Sequence, residues 1–282
     1  LPVLTIITNV SLDHTEFLGT DVAAIAREKG GIIKKGVPLI IGRAESPAED
    51  VLSGMAEKNF SRAIAAGRLY ESMFFTYDRQ GHMHVRIRKT AEETREKHPV
   101  KTYVCDLGAQ YQVENIITLL AATKELQRLG WKLSESDIRQ GLAQVKKNTG
   151  IMGRWQTLSH NPRSICDTVH NPDGIAAVVQ QIDQIPRKRL HMVWGMVSDK
   201  DLDAILPLLP EEALYYFTPS SVPRSMDAKL LCRRAGEFGL RGKAWPGVQE
   251  AYLAARLAAG PDDFIFTGGS TFVVADLLKM KK

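Results

Sequence analysis

No uninterrupted apolar run in the sequence approaches 18 residues, which excludes a membrane-spanning helix of ordinary length. Cysteine is scarce. Cys105, Cys166 and Cys232 are odd in number and far apart, so they form neither a disulfide framework nor a metal-ligand pattern, and they suit a reducing, cytoplasmic setting. Aromatic residues make up 7% and are not interleaved with the small basic clusters at Lys34-Lys35, Lys146-Lys147, Arg187-Lys188-Arg189 and Lys279–Lys282. The net charge of +5 therefore fits small anionic substrates such as nucleotides or polycarboxylates, and argues against nucleic acid as a partner. Leu1–Val10 is apolar but lacks a basic lead-in and a small-residue cleavage site, so it reads as a strand and not a signal peptide. There is no internal repeat and no low-complexity segment. A Gly-x-x-x-x-Gly-Lys-Ser/Thr phosphate loop is also missing.

What is present is a 282-residue α/β pattern with 44% apolar residues, long enough for two domains. In the first part, strands fit Leu4–Val10 and Val37–Ile41. A helix capped by Asp21 carries Val22, Ile25, Ala26 and Lys29 on one face and ends at Gly30-Gly31. Helical pattern returns over 47–66, a hairpin fits 73–77 with 82–88, and 89–97 reads as an exposed connection. Two helices follow at 113–129 and 134–145, the second with Ser134 and Asp137 spaced as a capping box. The polar, glycine-bearing stretch 146–153 places a boundary between domains 1–148 and 149–282. Beyond it, strands at 164–169, 190–194, 214–218, 242–245 and 264–267 alternate with helices at 173–185, 201–209, 227–238, 248–259 and 271–280. Strict alternation with short connections predicts a doubly wound, mostly parallel sheet, whose ligands gather at the carboxyl ends of its strands. Asp167 and His170 fall at one such end and Gly268-Gly269-Ser270 at another.

Two groups of residues carry candidate chemistry. His14, in Ser11-Leu12-Asp13-His14-Thr15-Glu16-Phe17-Leu18-Gly19, follows a strand and can ligate a divalent metal; a hydrogen-bonded loop histidine is the alternative. Lys29, fifteen residues later, lies on the apolar stripe of its helix, so it either snorkels outward or meets an anion. In the second group, Arg154 follows the linker and could reach phosphates, Asp167 ends a strand where a carboxylate can accept from a ribose, and His170-Asn171-Pro172 opens a helix. Each alone is also compatible with a surface arginine, a capping aspartate and a tight turn. Asn115 starts a helix, where a simple backbone hydrogen bond is equally open, and Ser270 reads as either a helix cap or a substrate contact.

The strings Ile7–Gly19 and Ile25–Lys34, with Arg154 and Asp167-Thr168-Val169-His170-Asn171-Pro172, resemble the folylpolyglutamate synthases, often bifunctional with dihydrofolate synthase, a branch of the Mur ligase superfamily. The resemblance implies part of a Mur-ligase-type central ATPase domain followed by a Rossmann-like C-terminal domain. It implies ATP and Mg2+, with His14 as metal ligand and Lys29 as a carbamylated catalytic lysine. Asn115 would lie on the adenine side, Arg154 and Asp167 at the nucleotide, and His170 and Ser270 near the incoming glutamate. The implied reaction joins L-glutamate to dihydropteroate or to the γ-carboxyl of folate glutamate tails through an acyl phosphate, in a monomeric cytoplasmic enzyme with no nucleic-acid or membrane partner. Gly30 stands where the family has alanine, and Thr168-Val169 where it has Gly-Ala. The family's phosphate loop and a further metal-binding glutamate would precede Leu1, so this chain taken alone is expected to bind ATP weakly and to be inactive. A cell-wall Mur ligase and a non-catalytic binding module are the rival readings.

Overall fold

The computed structural model describes residues 2–10, 21–90 and 99–280. The chain divides into two compact units, Leu1–Gly150 and Ile151–Lys282.

In the first unit, β1 (Thr5–Asn9), β2 (Leu39–Arg43) and β3 (Ala63–Ala65) pair in parallel in that order. Helices α1 (Val22–Gly30) and α2 (Ala48–Lys58) follow β1 and β2. The Asp21 carboxylate accepts from the Ala23 N–H at 3.0 Å, capping α1 as its spacing predicts. Gly30 is buried against α2, and a β-carbon there would meet the Met55 sulfur at 2.5 Å. Met55 thus fills the space an alanine would need. After a short helix α3 (Ala66–Leu69), the chain forms an antiparallel sheet of β4 (Tyr70–Tyr77), β5 (Met83–Lys89) and β6 (Lys101–Cys105). Against it packs α4 (Gln112–Arg128), whose Val113, Ile116, Ile117, Leu120 and Ala121 are all buried in the helical rhythm i, i+3, i+4, i+7, i+8. Each large side chain of that stripe contributes about 1.5–3 kcal/mol of burial. Then come α5 (Glu135–Ala143), with the expected Ser134/Asp137 capping box, and α6 (Val145–Thr149).

In the second unit, β7 (Gln156–His160) and β8 (Arg163–Cys166) form a hairpin. Five helices and four strands alternate after it: α7 (Pro172–Asp183), β9 (Leu190–Trp194), α8 (Leu202–Ile205), β10 (Leu214–Phe217), α9 (Ala228–Glu237), β11 (Gly242–Ala244), α10 (Val248–Ala258), β12 (Phe264–Gly268) and α11 (Thr271–Lys279). The sheet order is β11-β10-β9-β12-β8-β7, parallel throughout except for β7. Every residue of β9 and of β12 is buried, as expected where helices cover both faces of a parallel sheet. The last strand enters between β9 and β8, so the carboxyl ends of three central strands lie side by side.

The structure departs from the sequence expectations in four places. The helix expected over 47–66 stops at Lys58, because Asn59 turns its side chain back onto the Met55 carbonyl at 2.8 Å and Phe60 takes φ +53°. The first strand, expected to be buried, lies at a sheet edge with Ile6 40% exposed. Strands β6 and β7 had no counterpart in the pattern: β6 is a short edge strand of mixed character and β7 one with Leu158 as its sole apolar residue, so neither gives a clear period. The helix over 201–209 is only α8 plus a 3-10 turn at Leu206–Leu208, since Pro207 cannot donate to a continued α-helix.

Candidate functional site

In the second unit the candidate residues cluster at the carboxyl edge of the sheet, and their positions follow from one buried carboxylate. Asp167, just past β8, has no solvent exposure. One of its oxygens accepts from the Trp155 N–H at 2.7 Å and the other from the Val169 N–H at 3.0 Å. Its own N–H donates to the Thr267 carbonyl at 3.1 Å, tying the turn to β12. The carboxylate therefore clasps two backbone segments, 153–155 and 167–169.

The first segment is tightly wound. Gly153 has φ +71°, and a β-carbon there would lie 2.7 Å from the Thr168 methyl. Trp155 also takes a left-handed backbone, φ +48°, a conformation that costs a non-glycine residue about 1 kcal/mol or more. Trp155 is held in it by Asp167 and by packing on Phe266, ring centroids 6.0 Å apart. Between these two left-handed residues sits Arg154. Its side chain is half-buried, and its guanidinium donates to the Thr168 hydroxyl. Thr168 is thus the seat of the arginine, a role that the sequence pattern did not reveal. The contact spans fourteen residues and depends on the unrecognised β7–β8 hairpin.

His170 is half-buried beside the same turn, with Nδ1 3.1 Å from the Thr168 carbonyl oxygen. If Nδ1 carries the proton there, Nε2 is left as an acceptor. Asn171 caps α7 by accepting from the Gly174 N–H at 2.9 Å, with Pro172 at the first helical position. Ser270 caps α11: its hydroxyl accepts from the Phe272 N–H at 3.2 Å, and it is 2% exposed. The preceding Gly269, φ +89°, allows no side chain, since a β-carbon would lie 2.6 Å from the Gly195 carbonyl oxygen.

In the first unit Lys29 is half-buried near the end of α1, and its ammonium donates to the Asn9 carbonyl at 2.9 Å across from β1. The side chain is drawn toward the carboxyl end of β1. Asn115 is exposed in the first turn of α4, and its amide donates to Gln112 Oε1 at 2.8 Å, which leaves its carbonyl oxygen outward. His14 lies outside the described residues. Among the described residues no cluster of three or more His, Cys, Asp or Glu could hold a metal ion, and no helix is long and apolar enough to cross a membrane.

Residues 153–271 match the Mur ligase, glutamate ligase domain. The whole chain is similar to the dihydrofolate synthase/folylpolyglutamate synthase of Escherichia coli, 30% identical over 98% of this chain and 59% of that protein. It superposes on E. coli FolC in complex with ADP, without folate substrate, with TM-score 0.79 and 29% identity, covering 99% of this chain and 61% of that one. Over its whole length the chain is similar to the folylpolyglutamate/dihydrofolate synthases, and its second unit carries the Mur ligase, glutamate ligase domain. A second solved structure, a bifunctional folylpolyglutamate synthase/dihydrofolate synthase with Mn, AMPPNP and L-glutamate bound, superposes with TM-score 0.74 at 26% identity over 99% of this chain and 62% of its own. The chain spans about three-fifths of the length of these folylpolyglutamate/dihydrofolate synthases.

Proposed function

We propose that the protein of which this chain is part is an ATP- and magnesium-dependent ligase that adds L-glutamate to dihydropteroate, to the γ-carboxyl of folate glutamate tails, or to both. The observation that carries the reading is the clasp at the carboxyl edge: Asp167 holds Arg154 at the head of a strained turn, beside His170 and close to the α11 cap. A guanidinium fixed in this way is already arranged for phosphate oxygens and loses little side-chain entropy when it binds them. Asp167 acts there by positioning the arginine. His170 Nε2 is the acceptor available to an incoming ammonium.

In this reading the substrate carboxylate takes the γ-phosphoryl group of ATP and ADP leaves. The glutamate amine then attacks the acyl carbon, loses a proton and expels phosphate. Both steps build negative charge on oxygen, which a fixed cation stabilises. Asn115, with its carbonyl oxygen outward, suits an amino group such as that of adenine. The reading makes Lys29 a carbamate. A carbamylated nitrogen keeps one N–H, enough to preserve the bond to the Asn9 carbonyl, while its carboxylate would offer oxygen to a cation. The described residues do not by themselves complete a metal site.

The test is product analysis. A protein carrying this chain, incubated with ATP, magnesium, L-glutamate and dihydropteroate, is expected to yield dihydropteroate extended by one glutamyl residue, read by mass spectrometry with stoichiometric ADP. Extension of a nucleotide-sugar peptide in its place would favour the cell-wall ligases. Absence of any ATP-dependent product would favour a binding module.

A further inference from the structure

We propose that the cleft between the antiparallel sheet and the C-terminal half of α4 is a binding site for a small aromatic carboxylate, separate from the nucleotide and glutamate sites. The cleft has a volume of about 270 Å³. That is slightly below the range of drug-sized pockets and suits a single substituted ring. Its apolar floor is Ile87, Leu120 and Ile138.

Three observations give the ligand its charge and shape. Lys89 and Lys124 line the cleft, and neither has an acidic partner among the described residues. Glu135, the one acidic residue of the lining among the described residues, is already neutralised: Lys101 lies 2.9 Å and Arg139 3.0 Å from its oxygens. The described lining is therefore net cationic, which favours an anion over an amine. The second observation is Tyr70, which is 9% exposed and lines the cleft, yet its hydroxyl makes no hydrogen bond with any described residue. The hydroxyl is not itself buried, so it opens to the cleft as a donor free to meet an acceptor. Burial, with the neighbouring Glu135 charge, pushes the Tyr70 phenol above its ordinary range, so the proton stays available for donation. Third, the lining combines three aliphatic side chains, Ile87, Leu120 and Ile138, with these polar groups, which suits a ring that carries a carboxylate. The α4 residues of the cleft, Leu120 to Gln127, lie 5 to 12 positions beyond Asn115. At about 1.5 Å per residue, a ligand here is roughly 7–18 Å along the helix from that residue.

Benzoate is the probe. Isothermal titration of the full chain should show saturable binding of benzoate and none of benzylamine or benzyl alcohol. The double variant Lys89→Gln/Lys124→Gln should weaken benzoate by about tenfold or more, and Tyr70→Phe by roughly threefold, as charged and neutral hydrogen bonds differ. Both lysines are exposed, and an unchanged thermal midpoint will show that the double variant folds. Methyl NMR should place the shifts at Ile87 and Ile138, and Arg154→Ala should bind benzoate as the parent does. Three results would each overturn the proposal: no saturable binding, binding that the lysine substitutions leave intact, or shifts confined to residues outside the cleft. Loss of binding on Arg154→Ala would assign the benzoate to the glutamate-ligase unit and overturn it too, without touching the proposed ligase activity.

Discussion

The two ends of the six-stranded sheet use the same kinds of residue in opposite ways. At the amino end, His191 on β9 is completely buried between Tyr216, whose hydroxyl lies 3.1 Å from Nδ1, and Asp263, whose carboxylate lies 3.4 Å from Nε2. Asp263 also accepts from the Gly260 N–H at 2.8 Å. This polar cluster satisfies itself. At the carboxyl end, Asp167 is equally buried, but it spends its oxygens on backbone, and the side chains it organises, Arg154 and His170, stay half-exposed. One end encloses its polar groups to hold strands together; the other buries an anchor so that neighbouring groups can face a ligand. A buried carboxylate or histidine therefore does not by itself mark a site. The informative feature is whether the groups around it are left with unused donors and acceptors.

The largest expected effect tests the anchor. Asp167→Ala removes the acceptor of two buried N–H groups and should destabilise the chain by about 3 kcal/mol, measured by urea denaturation. A loss below 1 kcal/mol would mean that the 153–155 turn holds itself, and the contrast between the two ends would fail. The next substitution separates stability from chemistry. Arg154→Lys keeps the charge but loses the planar fork, and should lower kcat/KM for glutamate addition roughly tenfold to a hundredfold with the thermal midpoint unchanged. Equal losses in both would make Arg154 a structural residue. Gly153→Ala should cost about 2 kcal/mol, from its left-handed backbone and the Thr168 methyl. Adding Thr168→Ser removes that methyl but keeps the hydroxyl, so the double variant should regain part of the loss. No recovery would show that the backbone conformation and the Val274 methyl, 2.9 Å from such a β-carbon, set the cost.

Much of this was legible in the sequence because it rests on local rules. The alternation of the second unit, the cap at Asp21 and the Ser134/Asp137 box depend on neighbours within a few residues, and all three appear. The resemblance to the folylpolyglutamate/dihydrofolate synthases was also legible, since its strings are contiguous. What escaped was non-local. The β7–β8 hairpin turns at Asn161-Pro162 between half-polar strands, and without it nothing brings Thr168 to Arg154. Thr168 was noticed only as bulk where the family has a smaller residue. Periodicity likewise could not tell whether the Asp167 carboxylate faces a ligand or its own backbone.

The smallest effect concerns the enclosed end. Burial, which penalises the imidazolium, outweighs the pull of Asp263 and holds the His191 pKa below its ordinary 6.5; Arg189 acts in the same direction as burial. In the unfolded chain the ring titrates near the ordinary value, so between that value and the lower folded one the unfolded state binds more protons. Stability from this group is then complete above about pH 7 and falls as the pH drops through 6.5 toward the folded pKa. Asp263 works in a lower window. Burial raises its pKa, but the Gly260 N–H and His191 more than offset that, so its contribution is lost only below its ordinary 3.8. Urea midpoints measured between pH 7 and 5 should therefore decline in the parent and flatten in His191→Phe, whatever the absolute stability of the variant. The carboxyl-end substitution Arg154→Lys should leave that decline unchanged. If His191→Phe kept the parent slope, the histidine would be titrating freely with water, and the amino end would be no more closed than the site it was contrasted with.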